Sequence, residues 1–365
     1  MRHNYLSKMQ KEIGSEFWTG CSPTGIYGCN WSVPNGWQVA ETLCGRVALE
    51  YIVENVKAIG ATSVYMPSYC CHTMIEPFLK HGVKIDFYNV VLSENGLKRQ
   101  FDFDNDCDVV FLMDYFGHID NETEIIAKDQ KSKGKTLIYD ATHCIYSDIN
   151  SEIYDFVFGS YRKWMDVNCG FIAEKNSKSI SLSTDWKQFD EYVDMRTRMF
   201  DLKSRYMNNE DVDKQQFLAW INEAEEMLEQ NYHHTLPDKR SLDVLEQTGL
   251  PYLMMSRRNN AKILMDGVAD LADERINCFV GNMGSNDTPL FVPVWIQAED
   301  RNELRRYLIE HSIYCPVHWP LSELHTISNA AKDVYQCELS LLCDQRYDHT
   351  DMYRILETIK EYLKK

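Results

Sequence analysis

The residues with the most chemical content fall in four short segments of the first half of the chain. Phe158-Gly-Ser160-Tyr-Arg-Lys163-Trp closes an apolar run, so the pattern predicts a strand with Ser160 and Lys163 at its end. A lysine amine becomes a useful nucleophile once it is partly desolvated, and a serine three residues earlier suits a phosphate contact. Tyr139-Asp140-Ala-Thr-His143 closes a second apolar run. A carboxylate at the end of a buried strand is costly unless a cation pairs with it. A protonated ring nitrogen is such a cation, and His143 is placed to hydrogen-bond the same ring. Cys44-Gly45-Arg46 opens a predicted helix, where a glycine lets an anion approach free N–H groups and the helix dipole attracts it. Pro67-Ser-Tyr-Cys70-Cys71-His72 follows another strand, and its residues, Cys71 and His72 among them, are candidates to lie against one face of a flat cofactor.

Taken singly, each segment also has an ordinary reading. Gly45 can be a simple helix cap, residues 67–72 a turn, Asp140 a turn cap and Lys163 an exposed lysine beside an arginine. Their order and spacing carry the argument, and the elements around them supply the frame. The alternation predicts strands at Thr62–Met66, Lys84–Tyr88, Asp108–Met113, Thr136–Tyr139, Ile153–Phe158 and Gly170–Ala173. Helices are predicted from Gly45 to Gly60, at Cys71–Lys80 and at Asn121–Lys131. Strands alternating with helices imply a mostly parallel sheet covered on both faces, with ligands beyond the carboxyl ends of the strands. Residues 186–233 and 241–271 read as helical. The remainder reads strand, helix, strand (Tyr314–His318), helix (His349–Leu363). The expected division is an irregular N-terminal arm (1–40), a large α/β domain (41–240) and a small C-terminal α+β domain (241–365).

With 365 residues, 44% of them hydrophobic, the chain can build a sizeable core. Its net charge of −17 argues against non-specific binding to nucleic acid or to an anionic membrane surface, while leaving room for a local basic pocket. The twelve cysteines are scattered, several in apolar runs, and Met1–Gly14 carries no apolar core segment. Buried free thiols in a reducing cytosol are therefore expected. There is no matched pair of Cys-x-x-Cys motifs, so no metal site is expected. No apolar run is long enough to span a bilayer.

The ordered segments resemble the DegT/DnrJ/StrS-type sugar aminotransferases within the fold type I enzymes that use pyridoxal 5′-phosphate (PLP). The family's Ser-Gly-Thr-x-Ala-Leu is matched by Cys44–Leu49, its Pro-Ser-aromatic segment by Pro67–Tyr69, and its Glu-Asp-Ala-x-Gln by Tyr139–His143. Its serine and lysine are matched by Ser160 and Lys163. Ile313–Leu321 and Leu341–Tyr347 resemble segments near its C-terminus. The resemblance implies PLP held by Lys163 as a Schiff base, Asp140 on the pyridine nitrogen, and Ser160 with the Gly45/Arg46 helix start on the phosphate. It places His143 at the ring hydroxyl and His318 with Trp319 at the edge of the active site. It further implies a homodimer whose sites are completed by the partner chain, and amino transfer from a donor such as glutamate to a keto sugar attached to a nucleotide. Arg346 either binds a substrate carboxylate or anchors the last helix, and Arg257-Arg258 reads as a solvated helix face.

The chain also departs from the family. Cys44 and Arg46 replace a serine and a threonine, Asn168-Cys169-Gly170 replaces a longer glycine run, and the Asn-aromatic-Arg motif that reaches a neighbouring subunit's phosphate is not evident. Arg46 or Arg162 is then the candidate to supply that charge. The same residues also admit a PLP-dependent elimination on a sugar, or an aminotransferase fold retained as a non-catalytic binding protein.

Overall fold

A computed structural model describes residues 12–32, 34–93, 96–175, 180, 182 and 185–365. The first eleven residues of the expected arm lie outside them. The arm is not wholly irregular, because it contributes β1 (Ile13–Gly14) and most of β2 (Trp37–Thr42). The alternating region then follows: α1 (Gly45–Ala58), β3 (Ser63–Pro67), α2 (His72–Lys80), β4 (Lys84–Ser93) and β5 (Gly96–Gln100). It continues with β6 (Val109–Met113), α3 (Asn121–Ser132), β7 (Thr136–Asp140), β8 (Phe156–Ser160) and β9 (Gly170–Lys175).

These strands form one eight-stranded sheet in the order β2-β9-β8-β7-β6-β3-β4-β5. The five central strands run parallel, from β8 through β7, β6 and β3 to β4. All five residues of β6, Val-Val-Phe-Leu-Met, are buried, as expected for a strand covered on both faces. The two edges close antiparallel: β5 returns along β4, while β9 and β2 extend the sheet beyond β8. The alternation did not show β5, because its Lys98-Arg99-Gln100 sequence lacks an apolar period.

The helical stretch resolves into α4 (Asp190–Met207) and α5 (Lys214–Asn231), flanked by the short paired strands β10 (Lys187–Gln188) and β11 (Thr235–Leu236). Next come α6 (Lys239–Gln247) and α7 (Leu250–Leu271). The C-terminal part holds β12 (Ile276–Cys278), β13 (Val292–Ile296), α8 (Ala298–Glu310), β14 (Ile313–Tyr314), α9 (Asn329–Cys337), β15 (Glu338–Leu341) and α10 (His349–Leu363). β12, β13 and β15 make a three-stranded antiparallel sheet. Its buried face shares an apolar cluster with α7, α8 and α10 that also takes in Ile13, since β1 pairs with β14. The strand expected at Tyr314–His318 stops at Tyr314. Pro316 has no N–H to continue a ladder, and His318 falls in the following loop.

Arg257 reverses its sequence reading. It is fully buried on α7, with its guanidinium 4.5 Å from the Trp164 ring centroid. Its Nε donates to Gln345 Oε1 at 2.8 Å and its Nη1 to the Leu290 carbonyl at 3.0 Å. Gln345 in turn donates to the Trp164 carbonyl at 2.7 Å. A buried arginine with these acceptors ties the C-terminal segment to the loop that carries Lys163. Arg257→Ala is expected to cost roughly 3–5 kcal/mol, from lost packing and newly unpaired carbonyls. The exposed pair Lys262–Asp266 on the same helix should matter by less than about 0.5 kcal/mol when Lys262 is replaced by Ala. Chemical denaturation of the two variants checks this, and equal losses would contradict it.

Candidate active site

The parallel register fixes the geometry. Asp140, the last residue of β7, lies opposite Phe158 of β8, so Ser160 sits two residues further along at the same end of the sheet. Across β8, Ser160 is paired with Gly170, the first residue of β9. A Cβ on Gly170 would lie 2.6 Å from the Cys44 carbonyl carbon, and one on Gly45 would lie 3.1 Å from Ser160 Cβ. Two glycines thus let the start of α1 press against the strand ends. Cys44 caps that helix without a side-chain hydrogen bond, and no acidic residue stands in its first turn. The helix start therefore keeps its positive end available.

Beyond these strand ends lies a cavity of about 390 Å³ whose walls include Gly45, Arg46, Cys71, Asp140, Ser160, Lys163 and His318. His143 is fully buried behind it, with its Nε2 3.1 Å from Lys163 Nζ. Arg46 lies over the Tyr232 ring at 5.2 Å. His72 is not among the wall residues; it faces Cys71 Sγ at 3.9 Å and Glu76 Oε1 at 3.8 Å. Arg346 is also elsewhere, committed to a two-pronged pair with Asp344 at 2.8 Å on each prong and to the Glu16 carbonyl at 2.9 Å. That geometry is the anchoring alternative, not a carboxylate receptor.

The charges in the cavity are set by burial. The Phe116 N–H donates to His143 Nδ1 at 3.2 Å. Burial, and then the nearby Lys163 and His318, hold the His143 pKa well below the usual histidine range, so the ring is neutral. A neutral imidazole that accepts at Nδ1 carries its proton on Nε2. Nε2, 3.1 Å from Lys163 Nζ, can then donate to that amine only in its unprotonated form. Burial works in the same direction, lowering the Lys163 pKa below the ordinary lysine value against the raising effects of Cys71 and Asp140. Burial also pushes the Cys71 thiol up, but His72, Thr73 and Lys163 outweigh it and leave that thiol below its ordinary range.

Asp140 is 1% exposed and accepts the Thr142 N–H at 2.8 Å. Among the described residues no cation forms an ion pair with it, and burial raises its pKa. A flat cationic ring bounded by a phosphate meets what these groups lack: a cation for Asp140 and an anion for the α1 start. Trp319 closes the opposite side. Its ring stacks on His143 at 5.2 Å, and Lys163 Nζ lies 5.3 Å from its centroid. His318 beside it is held by Ser340 Oγ at 2.9 Å.

Structural comparison shows the same architecture in solved enzymes. The aminotransferase TlmJ from Streptoalloteichus hindustanus aligns at TM-score 0.63 and 14% identity, over 89% of this chain and 86% of that one. NtdA from Bacillus subtilis, solved with bound PMP, aligns at TM-score 0.63 and 13% identity over 90% and 73%. PseC of Helicobacter pylori, an aminotransferase involved in the biosynthesis of pseudoaminic acid, aligns at TM-score 0.61 and 13% identity over 88% and 86%. The chain has the aminotransferase fold. No protein-family model matches it, and no curated protein sequence does.

On this aminotransferase fold, sequence reasoning missed the far wall of the cavity. Glu16 comes from the N-terminal segment, Arg196 from α4 and Glu225 from α5, and all three line it. Arg196 and Glu225 lie on helices rich in surface charge, where nothing in the spacing marks them. Only the four-residue step from Tyr192 to Arg196, which puts two large polar side chains on one helical face, hints at a buried role.

The Asp140 shift has a stability consequence. Its folded pKa is raised above the unfolded value, so its contribution favours folding below the unfolded pKa and is lost as pH rises through the folded pKa. At neutral pH the charged carboxylate opposes folding of the ligand-free protein. Asp140→Asn, which keeps the shape and removes the charge, should raise the ligand-free Tm at neutral pH, with the gain vanishing in acid. Differential scanning calorimetry across pH measures this, and a lowered Tm at neutral pH would be the contrary result.

Proposed function

We propose that this protein is a PLP-dependent aminotransferase, moving an amino group from an amino acid such as glutamate to a keto sugar, nucleotide-linked, or to a related ketone in sugar or polysaccharide metabolism. The carrying observation is the convergence on one cavity of an aminotransferase fold of a lysine, Lys163, whose pKa burial lowers, a buried Asp140 with no cationic partner among the described residues, and a helix start with no acidic residue in its first turn. The neighbours' own descriptions support the chemistry: TlmJ is an aminotransferase, NtdA was solved with PMP, and PseC serves pseudoaminic acid biosynthesis. The sugar acceptor rests on such neighbours and on the sequence resemblance.

When bound, PLP supplies a carbonyl that condenses with amines and a ring that accepts the electron pair left by a lost α-proton. The chain's residues prepare for this. Lys163 Nζ is the nucleophile and, next to His143 Nε2, the atom that takes up and returns a proton. Asp140 keeps a ring nitrogen protonated. The Gly45/Arg46 helix start and Ser160 hold the phosphate. His143 is positioned for a ring hydroxyl once it no longer donates to Lys163. Cys71 borders the cavity at the start of α2. Trp319 and His318 cover the reacting atoms and exclude water.

The resemblance also supports a homodimer, and the free cysteines support a reducing compartment such as the cytosol. No helix among the described residues is long and apolar enough to cross a membrane.

Purified protein given PLP should turn yellow, and borohydride should fix the cofactor to the peptide that contains Lys163. In the unreduced protein, glutamate should abolish the cofactor's aldehyde-form absorbance and release 2-oxoglutarate, which separates amino transfer from elimination. Lys163→Ala should lower the rate of that conversion by about a thousandfold or more. Asp140→Asn should weaken PLP binding by about tenfold to a hundredfold, the worth of one charge-assisted hydrogen bond. A protein that stays colourless and takes up no PLP contradicts the proposal.

A further inference from the structure

The far wall of the cavity holds more unmet hydrogen-bond donors than its own carboxylates satisfy. Arg196 is 1% exposed and lines the cavity. Its Nε donates to Asn168 Oδ1 at 3.3 Å and its Nη2 to Glu16 Oε2 at 3.1 Å, while Nη1 is buried with no partner among the described residues. Arg162, next in sequence to Lys163, also lines the cavity. Its Nη2 pairs with Glu225 Oε1, and its Nε is likewise buried and unpartnered. The Tyr192 hydroxyl, one helical turn before Arg196 on α4, is a third buried group with no partner. Orphaned donors of this kind cost folding free energy, and two cations make that cost larger.

The carboxylates that pair with them are the more exposed half of the arrangement. The Glu16 and Glu225 side chains are 32% and 42% exposed, against 2% for Arg196. Burial pushes the Glu16 pKa up, but Arg196, Arg162 and Lys203 outweigh it, so Glu16 is charged at neutral pH. Two partly exposed carboxylates thus hold two guanidinium groups that line one cavity and each retain a spare N–H donor.

Resting on the aminotransferase reading, we infer that Arg162, Arg196 and Tyr192 form a second anion seat that takes a carboxylate or phosphate group of the substrate, with Glu16 and Glu225 as the internal occupants it displaces. The seat is separate from the phosphate seat at the start of α1. It orients the substrate by its anionic end, with Lys163 adjoining Arg162 at the reacting end. Planar guanidinium forks suit a carboxylate or phosphate bound on two oxygens.

The test uses holoenzyme whose cofactor has been fixed to Lys163 by borohydride, so that the cofactor's phosphate seat is filled. Calorimetric titration with inorganic phosphate and with succinate distinguishes the two anion types. At least one should bind the wild type. Arg196→Gln should weaken that binding by about tenfold or more. Glu225→Gln removes a competitor and should tighten it severalfold. Tyr192→Phe, which deletes only an unpartnered hydroxyl and so should leave Tm intact, should weaken it about threefold or more. Anions that bind the cofactor-free protein but not the fixed holoenzyme would assign the arginines to the cofactor's phosphate and overturn the inference. So would binding that ignores all three substitutions. Failure to fix PLP at Lys163 shows as missing chromophore before any anion is added, and it counts against the aminotransferase reading instead.

Discussion

A neutral imidazole between a backbone amide and a lysine amine is the contact on which the site turns. The Phe116 N–H fixes the His143 tautomer, and the tautomer fixes the protonation state that Lys163 can adopt. Burial makes this arrangement favourable, because each charge in a low-dielectric cavity carries a desolvation cost. For the lysine this cost lowers the pKa and so favours the unprotonated form that a nucleophilic amine needs. For Asp140 the same cost raises the pKa, so its charged form is penalised until a bound cation partners it. The same cavity therefore favours an unprotonated amine and a carboxylate with no cationic partner among the described residues, a pairing that makes sense for a site built around a cationic ring.

The rest of the fold places these groups and keeps them apart. Parallel pairing brings the ends of β7 and β8 together, so Asp140 and Ser160 share one rim. The antiparallel return of β9 puts Gly170 beside Gly45 and closes the rim with a helix start. Arg257 and Gln345 hold the Trp164 end of the lysine loop from behind, so the C-terminal sheet and α7 stabilise a segment that belongs to the large sheet in sequence. The α4–α5 pair adds a wall that is rich in arginine and glutamate, where the other walls are aromatic or glycine-bearing.

Much of this was legible in the sequence, for identifiable reasons. Strongly apolar strands such as Val109–Met113 and helices with clear breaks such as Gly45–Ala58 announce themselves by period. A polar residue directly after such a strand, as at Asp140 and Ser160, is then placed by topology. Polar edge strands such as β5 were invisible because their period is carried by charged side chains. Pro316 cut a predicted strand short and moved His318 into a loop, yet still left it on the cavity wall. Arg257 and Arg196 were illegible for one shared reason: a buried arginine and a solvated one look alike in sequence, and only the carbonyls, amides and rings of distant segments distinguish them. Arg346 had two readings, and its guanidinium is occupied by Asp344 and by the Ser15 and Glu16 carbonyls of the N-terminal segment.

The account stands or falls on the protonation state of Lys163 in the cofactor-free protein. Isotope-labelled lysine side chains, with the Lys163 signal assigned by its loss in Lys163→Arg, can be titrated by NMR. The structure predicts that Lys163 titrates below the ordinary lysine value of about 10.4, and that His143→Ala moves its titration. A Lys163 that titrates at or above the ordinary value, indifferent to His143, would contradict the burial-lowered amine at the centre of this account.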